Sequence, residues 1–227
     1  MRQVVWVVLT LTSCTAIASA QTTKYPPLEN YLMDKDAEIR LARSAAPDTI
    51  SSRATVKVLT RTGYEVAHQG DNRFVCLVMR GWSGPTYTPA ELRSVAYDAA
   101  VRAPICFDTE AARTVLLYYE LKTKLGMAGK TPDEIASAVG AAYKKGELPK
   151  RNSVAFGYMW SADQFLGSEA GHWHPHMMVY SPYYKNAMLG DNAFGSTLPA
   201  VTDDAGTPFA IIVIPVDDQL AVKAHGK

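Results

Sequence analysis

The chain has 227 residues, 48% hydrophobic and 20% charged, with 23 Lys and Arg against 22 Asp and Glu. That length carries a substantial core, the balance supplies no basic excess for gripping nucleic acid, and the composition is not that of a mostly disordered chain. The single long apolar stretch lies at the N-terminus, which excludes a polytopic membrane protein.

Met1 and Arg2 open that stretch, Val4 to Leu11 form a solid apolar run, and Ala18-Ser19-Ala20 precede Gln21. A positive start, an apolar centre and a small-x-small exit are the three parts of a secretory signal peptide. Cleavage after Ala20 leaves residues 21–227 and no transmembrane span, and places the protein in the periplasm or outside the cell. Leu11-Thr12-Ser13-Cys14 also fits a bacterial lipobox, so a lipoprotein anchored at Cys14 is the alternative.

Beyond residue 20 the pattern alternates between strands and helices in blocks. Gln21 to Asn30, with Pro26-Pro27, reads as an extended leader. Asp34 starts a helix with an apolar stripe of Ala37, Ile39, Leu41, Ala42 and Ala45, which Pro47 ends. Three β-like runs follow, Ala54 to Thr60, Tyr64 to His68 and Phe74 to Arg80, separated by Gly- and Asn-containing turns. They predict an antiparallel meander. A Gly-, Pro- and Trp-rich loop over Gly81 to Thr88 precedes a short helical piece at Pro89 to Val101.

Asp108 is a plausible N-cap for a helix reaching about Leu125, with Glu120 and Lys124 in the favourable acid-first i,i+4 order. Thr131-Pro132-Asp133-Glu134 is a capping box with Pro at the first helical position, and Gly146 suits a left-handed helix end. Val154 to Trp160, His172 to Tyr180 and Phe209 to Val216 return to strand character. Strands, then helices, then strands predict an α+β fold: one domain over 21–227, a largely antiparallel sheet and three to four helices.

Three Cys become two once Cys14 is removed or lipidated, and an even pair in an exported protein predicts a Cys76–Cys106 disulfide. Two separate buried thiols are the alternative, since both sit in apolar surroundings. Gly126-Met127-Ala128-Gly129-Lys130-Thr131 imitates a phosphate loop but lacks its first Gly, because position 124 is Lys124. No G-x-S-x-G nucleophile elbow is present.

The segment with chemical content is Gly171-His172-Trp173-His174-Pro175-His176-Met177-Met178, which holds three of the five histidines. On a strand, His172, His174 and His176 share one face. Imidazoles two apart chelate a transition metal such as Zn or Cu, although a straight strand holds the first and third about 13 Å apart, too far for one ion. Two of the three, or a chain bent at Pro175, would then bind, with Glu169 the nearest further ligand; His68, Asp203 and Asp204 lack support from spacing. Met159, Met177, Met178 and Met188 raise a copper variant, since thioethers favour Cu(I). If the site is catalytic, a metal-bound water with Glu169 as base is the natural chemistry.

The alternative is a non-catalytic envelope binding or interaction module. Its histidines are hydrogen-bonded or solvent-facing, and Trp160, Trp173 and Tyr180 line an aromatic ligand cleft. A third reading is a pH-responsive surface made by the clustered imidazoles.

Ser44-Ala45-Ala46-Pro47, Gly70-Asp71-Asn72-Arg73-Phe74-Val75-Cys76-Leu77-Val78 and Gly171-His172-Trp173-His174-Pro175-His176 together resemble a group of secreted bacterial proteins of unassigned function. The resemblance covers most of the chain beyond residue 20. The group carries Gly where Arg73 stands, which weakens a tight-turn reading there. The resemblance implies export and a single domain, and brings no activity, cofactor or catalytic residue.

Overall fold

The structure is a computed structural model that describes residues 25–84, 95–168, 170–193 and 195–224. The expected signal peptide at 1–20, Cys14, residues 89–94 of the expected helical piece at 89–101, and Glu169 therefore lie outside the described residues, as does the side chain of Asp203.

Eight strands form one sheet in an α+β domain: β1 (Thr55–Thr60), β2 (Gly63–His68), β3 (Val75–Met79), β4 (Ala103–Phe107), β5 (Ala155–Met159), β6 (His176–Tyr180), β7 (Ala200–Asp203) and β8 (Ile211–Pro215). Their order across the sheet is β2-β1-β3-β4-β5-β6-β8-β7. Every pairing is antiparallel except β1 with β3. The helices are α1 (Lys35–Arg43), α2 (Asp48–Ser51), α3 (Thr109–Met127) and α4 (Pro132–Lys145).

The expected spans of β1, β2 and β3 hold to within a residue or so, but the meander does not. After β2 the chain turns back past the start of β1, so β3 runs parallel to β1 on its other side. The crossing is tight. Asp71 N–H donates to the Arg53 carbonyl, Thr55 N–H to the Phe74 carbonyl, and the Asn72 side chain to the Ile50 carbonyl. A Cβ at Gly70 would stand 2.3 Å from backbone atoms of Arg53, Ala54 and Thr55, so only glycine passes there. Arg73 takes a left-handed φ of 63°, a conformation that favours glycine.

Alternation divides the residues of the sheet between two cores. Cys76, Val78, Cys106 and Val56 face α1 with Leu41, Ala42 and Ala45. Leu77, Met79, Ile105, Phe107, Ala155, Met159, Met178 and Tyr180 face the other way, toward Val115 and Tyr119 of α3 and Val139 of α4. Cys76 and Cys106 stand directly opposite each other on β3 and β4, 4.0 Å apart at Cα, and are joined in the expected disulfide. That separation marks a close, non-hydrogen-bonded pair. Pro104, two residues on and opposite Val78, then aims its nitrogen away from β3. On that side β5 pairs only as far as Cys106, so a proline fits within a central strand without breaking a ladder bond.

The helix ends follow the expected chemistry. Asp34 Oδ1 accepts from Ala37 N–H at 2.9 Å and Asp108 Oδ1 from Ala111 N–H at 2.7 Å. Both halves of the Thr131–Glu134 capping box form, and Gly146 ends α4 with a left-handed φ of 77°. One expected pair is replaced. Glu120 meets Lys57 of β1 in a largely buried ion pair that docks α3 on the sheet, while Lys124 faces solvent. At the end of β3, Arg80 is buried against Glu38 of α1 at 2.9 Å and donates to the Tyr31 carbonyl at 2.6 Å. Removing one partner of such a pair costs about 3–5 kcal/mol. Among the described residues no helix is long and apolar enough to cross a membrane.

Candidate functional site

The histidine segment is not a strand throughout. β6 begins only at His176, because Pro175 has no N–H to give a ladder and because a buried side chain takes up the carbonyls before it. Gln164, fully buried, donates Nε2–H to the Trp173 carbonyl at 2.8 Å and to the His174 carbonyl at 3.1 Å. The three imidazoles consequently occupy three environments and not one strand face. His172 is exposed, its ring 5.7 Å from that of Phe165. His174 is exposed and pairs through Nδ1 with Asp218 at 2.7 Å.

His176 is buried, at 2% exposure, and donates Nδ1–H to the His174 carbonyl at 2.7 Å. That bond fixes the tautomer: Nε2 carries a lone pair. Nε2 has no partner among the described residues. Burial holds the imidazole neutral and pushes its pKa down to about 4, against a smaller opposing effect of the His174 carbonyl.

His176 faces a cavity of about 340 Å³ between the sheet and the segments that overhang it. Met79, Ala103, Met159, Met178 and Val213 supply its sheet wall, and Trp173 stands over His176 with ring centroids 4.8 Å apart in an edge-to-face arrangement. Val95, Asp98, Ser168 and Ala170 form the more exposed rim. Among the described residues two charged side chains line the cavity: Arg80, paired with Glu38, and Asp98, whose Oδ1 accepts from the Ala100 N–H at 2.8 Å. The described lining is thus mostly apolar, and its polar groups include the His176 imidazole, the Ser83 hydroxyl, which is buried without a hydrogen-bond partner among the described residues, and the Asp98 carboxylate.

Of the aromatic residues expected to line a cleft, only Trp173 does so. Trp160 lies on the α1 side of the sheet, edge-on to Tyr158 at 5.6 Å. Tyr180 is buried further along β6 beside Arg151 and Tyr119. The more distant candidates also fall away from the segment. His68 is exposed on the edge strand β2, and Asp204 is buried where the Tyr118 hydroxyl donates to it at 3.2 Å. Among the described residues no three His, Cys, Asp or Glu side chains gather as a metal-binding group.

Sequence reading missed Arg80, Asp98, Leu166, Gly167, Ser168 and Ala170 as neighbours of the site. They carry no local signature, and a crossing of distant loops brings them together. Comparison of the chain with protein-family models, curated protein sequences and solved structures finds no match.

Proposed function

We propose that this protein is an exported binding module that takes a small, mostly apolar molecule into the cavity beneath His172–His176. One observation carries the reading: a cavity of about 340 Å³ whose described walls are mostly apolar, with the His176 imidazole on its floor, held by its Nδ1–H to the His174 carbonyl. Small-molecule sites are of this size and composition, largely apolar with a few placed polar groups. Because Nε2 accepts, the ligand presents a hydroxyl or N–H donor, and the mostly apolar walls favour an uncharged one. Export is supported by the signal-peptide pattern at residues 1–20 and by the Cys76–Cys106 disulfide, a bond that persists in oxidising compartments.

Ligand-observed NMR with a panel of small cyclic alcohols and phenols, each beside its parent hydrocarbon, tests this. Alcohols are expected to bind at one site, and Ala103→Leu, which narrows the cavity, to weaken them at an unchanged unfolding midpoint. The hydroxyl advantage should be about tenfold, the worth of one buried hydrogen bond. Absence of saturable binding across the panel, or binding indifferent to Ala103→Leu, would refute the reading.

A further inference from the structure

The cavity floor carries a second kind of chemistry, which depends on the cavity being the functional site but not on its holding an organic ligand. The cavity that His176 lines is also lined by Met79, Met159 and Met178. Met159 is the direct cross-strand partner of His176, and Met178 lies two residues along β6 on the same face. Direct cross-strand neighbours place their Cβ atoms about 5 Å apart, and same-face neighbours along a strand about 7 Å apart. A methionine side chain, unbranched with three rotatable bonds, spans such distances readily. Met79 is further off, on β3 with β4 between it and β5.

Sequence spacing had pointed to Met177 and Met188 as well. The structure removes both from this set: Met177 faces the other side of the sheet, and Met188 is 60% exposed on the turn Asn186–Leu189.

We infer that His176 Nε2 with the Met159 and Met178 sulfurs forms a binding site for a soft monovalent metal ion, copper(I). Three arguments converge on it. Thioether and imidazole donors together suit Cu(I), and these three donors carry no charge, which suits a +1 ion better than a dication such as Zn²⁺. The ligating nitrogen is already oriented, since Nδ1–H is held by the His174 carbonyl in the outer hydrogen bond that metal-binding histidines use. Finally, Trp173 beside the imidazole brings an aromatic π-system next to the site, an environment that attracts a cation.

The test uses the full chain, expressed with its own N-terminus and purified without a tag. Cu(I) is titrated anaerobically against a chromophoric Cu(I) chelator, with Ag(I) as a redox-inert probe and methionine methyl NMR as the structural readout. One equivalent is expected to bind, perturbing the Met159 and Met178 methyls. Met159→Leu and Met178→Leu, near-isosteric changes that keep the fold, should each weaken Cu(I) binding at least tenfold. His172→Ala and His174→Ala should change nothing. Failure of Cu(I) and Ag(I) to bind while the alcohols do overturns the copper site alone, and failure of both ligand classes overturns the cavity reading with it. Metal binding that survives both Met→Leu changes, or that needs His172 or His174, overturns the ligand assignment.

Discussion

Gly126 near the end of α3 sets two effects of opposite sign against each other. Helix propensity alone says that Gly126→Ala stabilises, by about 1 kcal/mol. The packing says otherwise. A Cβ at this position would lie 2.3, 2.5 and 2.7 Å from the Cγ, Cδ1 and Cδ2 atoms of Trp82, where about 3.5–4 Å is the normal carbon separation. The indole would have to withdraw by more than an ångström. It cannot do so freely, being 3% exposed, stacked on Tyr31 with centroids 4.0 Å apart and edge-on to Tyr25 at 6.4 Å. Overpacking of this kind costs about 1–3 kcal/mol, and a rigid ring caught between two others belongs at the upper end. The net expectation is a loss of about 1–2 kcal/mol, or about 2–8 °C in Tm for a domain of this size.

Urea unfolding of Gly126→Ala, Trp82→Leu and the double variant measures this directly. On the Trp82→Leu background the added methyl should be neutral or stabilising, giving a coupling of about 2 kcal/mol between the two positions. A Gly126→Ala protein with a midpoint equal to or above wild type would refute the packing argument.

Two further outcomes are expected. Replacing both Cys76 and Cys106 with Ala opens a loop of sequence separation 30, and the chain-entropy treatment gives a loss of about 3–4 kcal/mol in urea unfolding; a loss below about 1 kcal/mol would count against it. In metal-free protein, His176 has a folded-state pKa of about 4 against an ordinary 6.5, so between those values the unfolded chain binds a proton that the folded one refuses. Stability should therefore fall with falling pH by about 1.4 kcal/mol per pH unit across that window from this group. His176→Asn should flatten that limb, and an unchanged acid profile would show that the imidazole is not held neutral.

Local chemistry made much of this fold legible. β-like runs bounded by turn residues marked β1, β2 and β3, the Thr131–Glu134 box marked the start of α4, and cysteine parity gave the bridge. Non-local arrangements were not legible. β4 is a five-residue, wholly buried run containing Pro104, with no alternation to announce it, and its tolerance of proline depends on where β5 stops pairing. β7 is a four-residue edge strand, too short to show a period. The parallel placement of β3 rests on the close passage of Gly70 over residues 53–55, which no pattern of hydrophobicity encodes. At the site, the spacing of the three histidines singled out the segment but implied one shared strand face, which residues 172–176 do not form. Whether residues 172–175 pair as a strand was decided by Gln164, a residue eight or more positions away whose side chain caps their carbonyls.

The position of the disulfide bears on how the molecule matures. Both cysteines are wholly buried, and α1 lies across them, with Cys106 Sγ 3.7 Å from the Ala42 carbonyl. Once that helix is seated, no oxidant or reductant reaches the sulfurs. Oxidation must therefore come while the N-terminal helix is still off the sheet, and docking of α1 seals the bond behind it. Thereafter the rate at which a thiol reagent cuts the bridge is a clock for the lifting of α1, independent of what occupies the cavity on the opposite face.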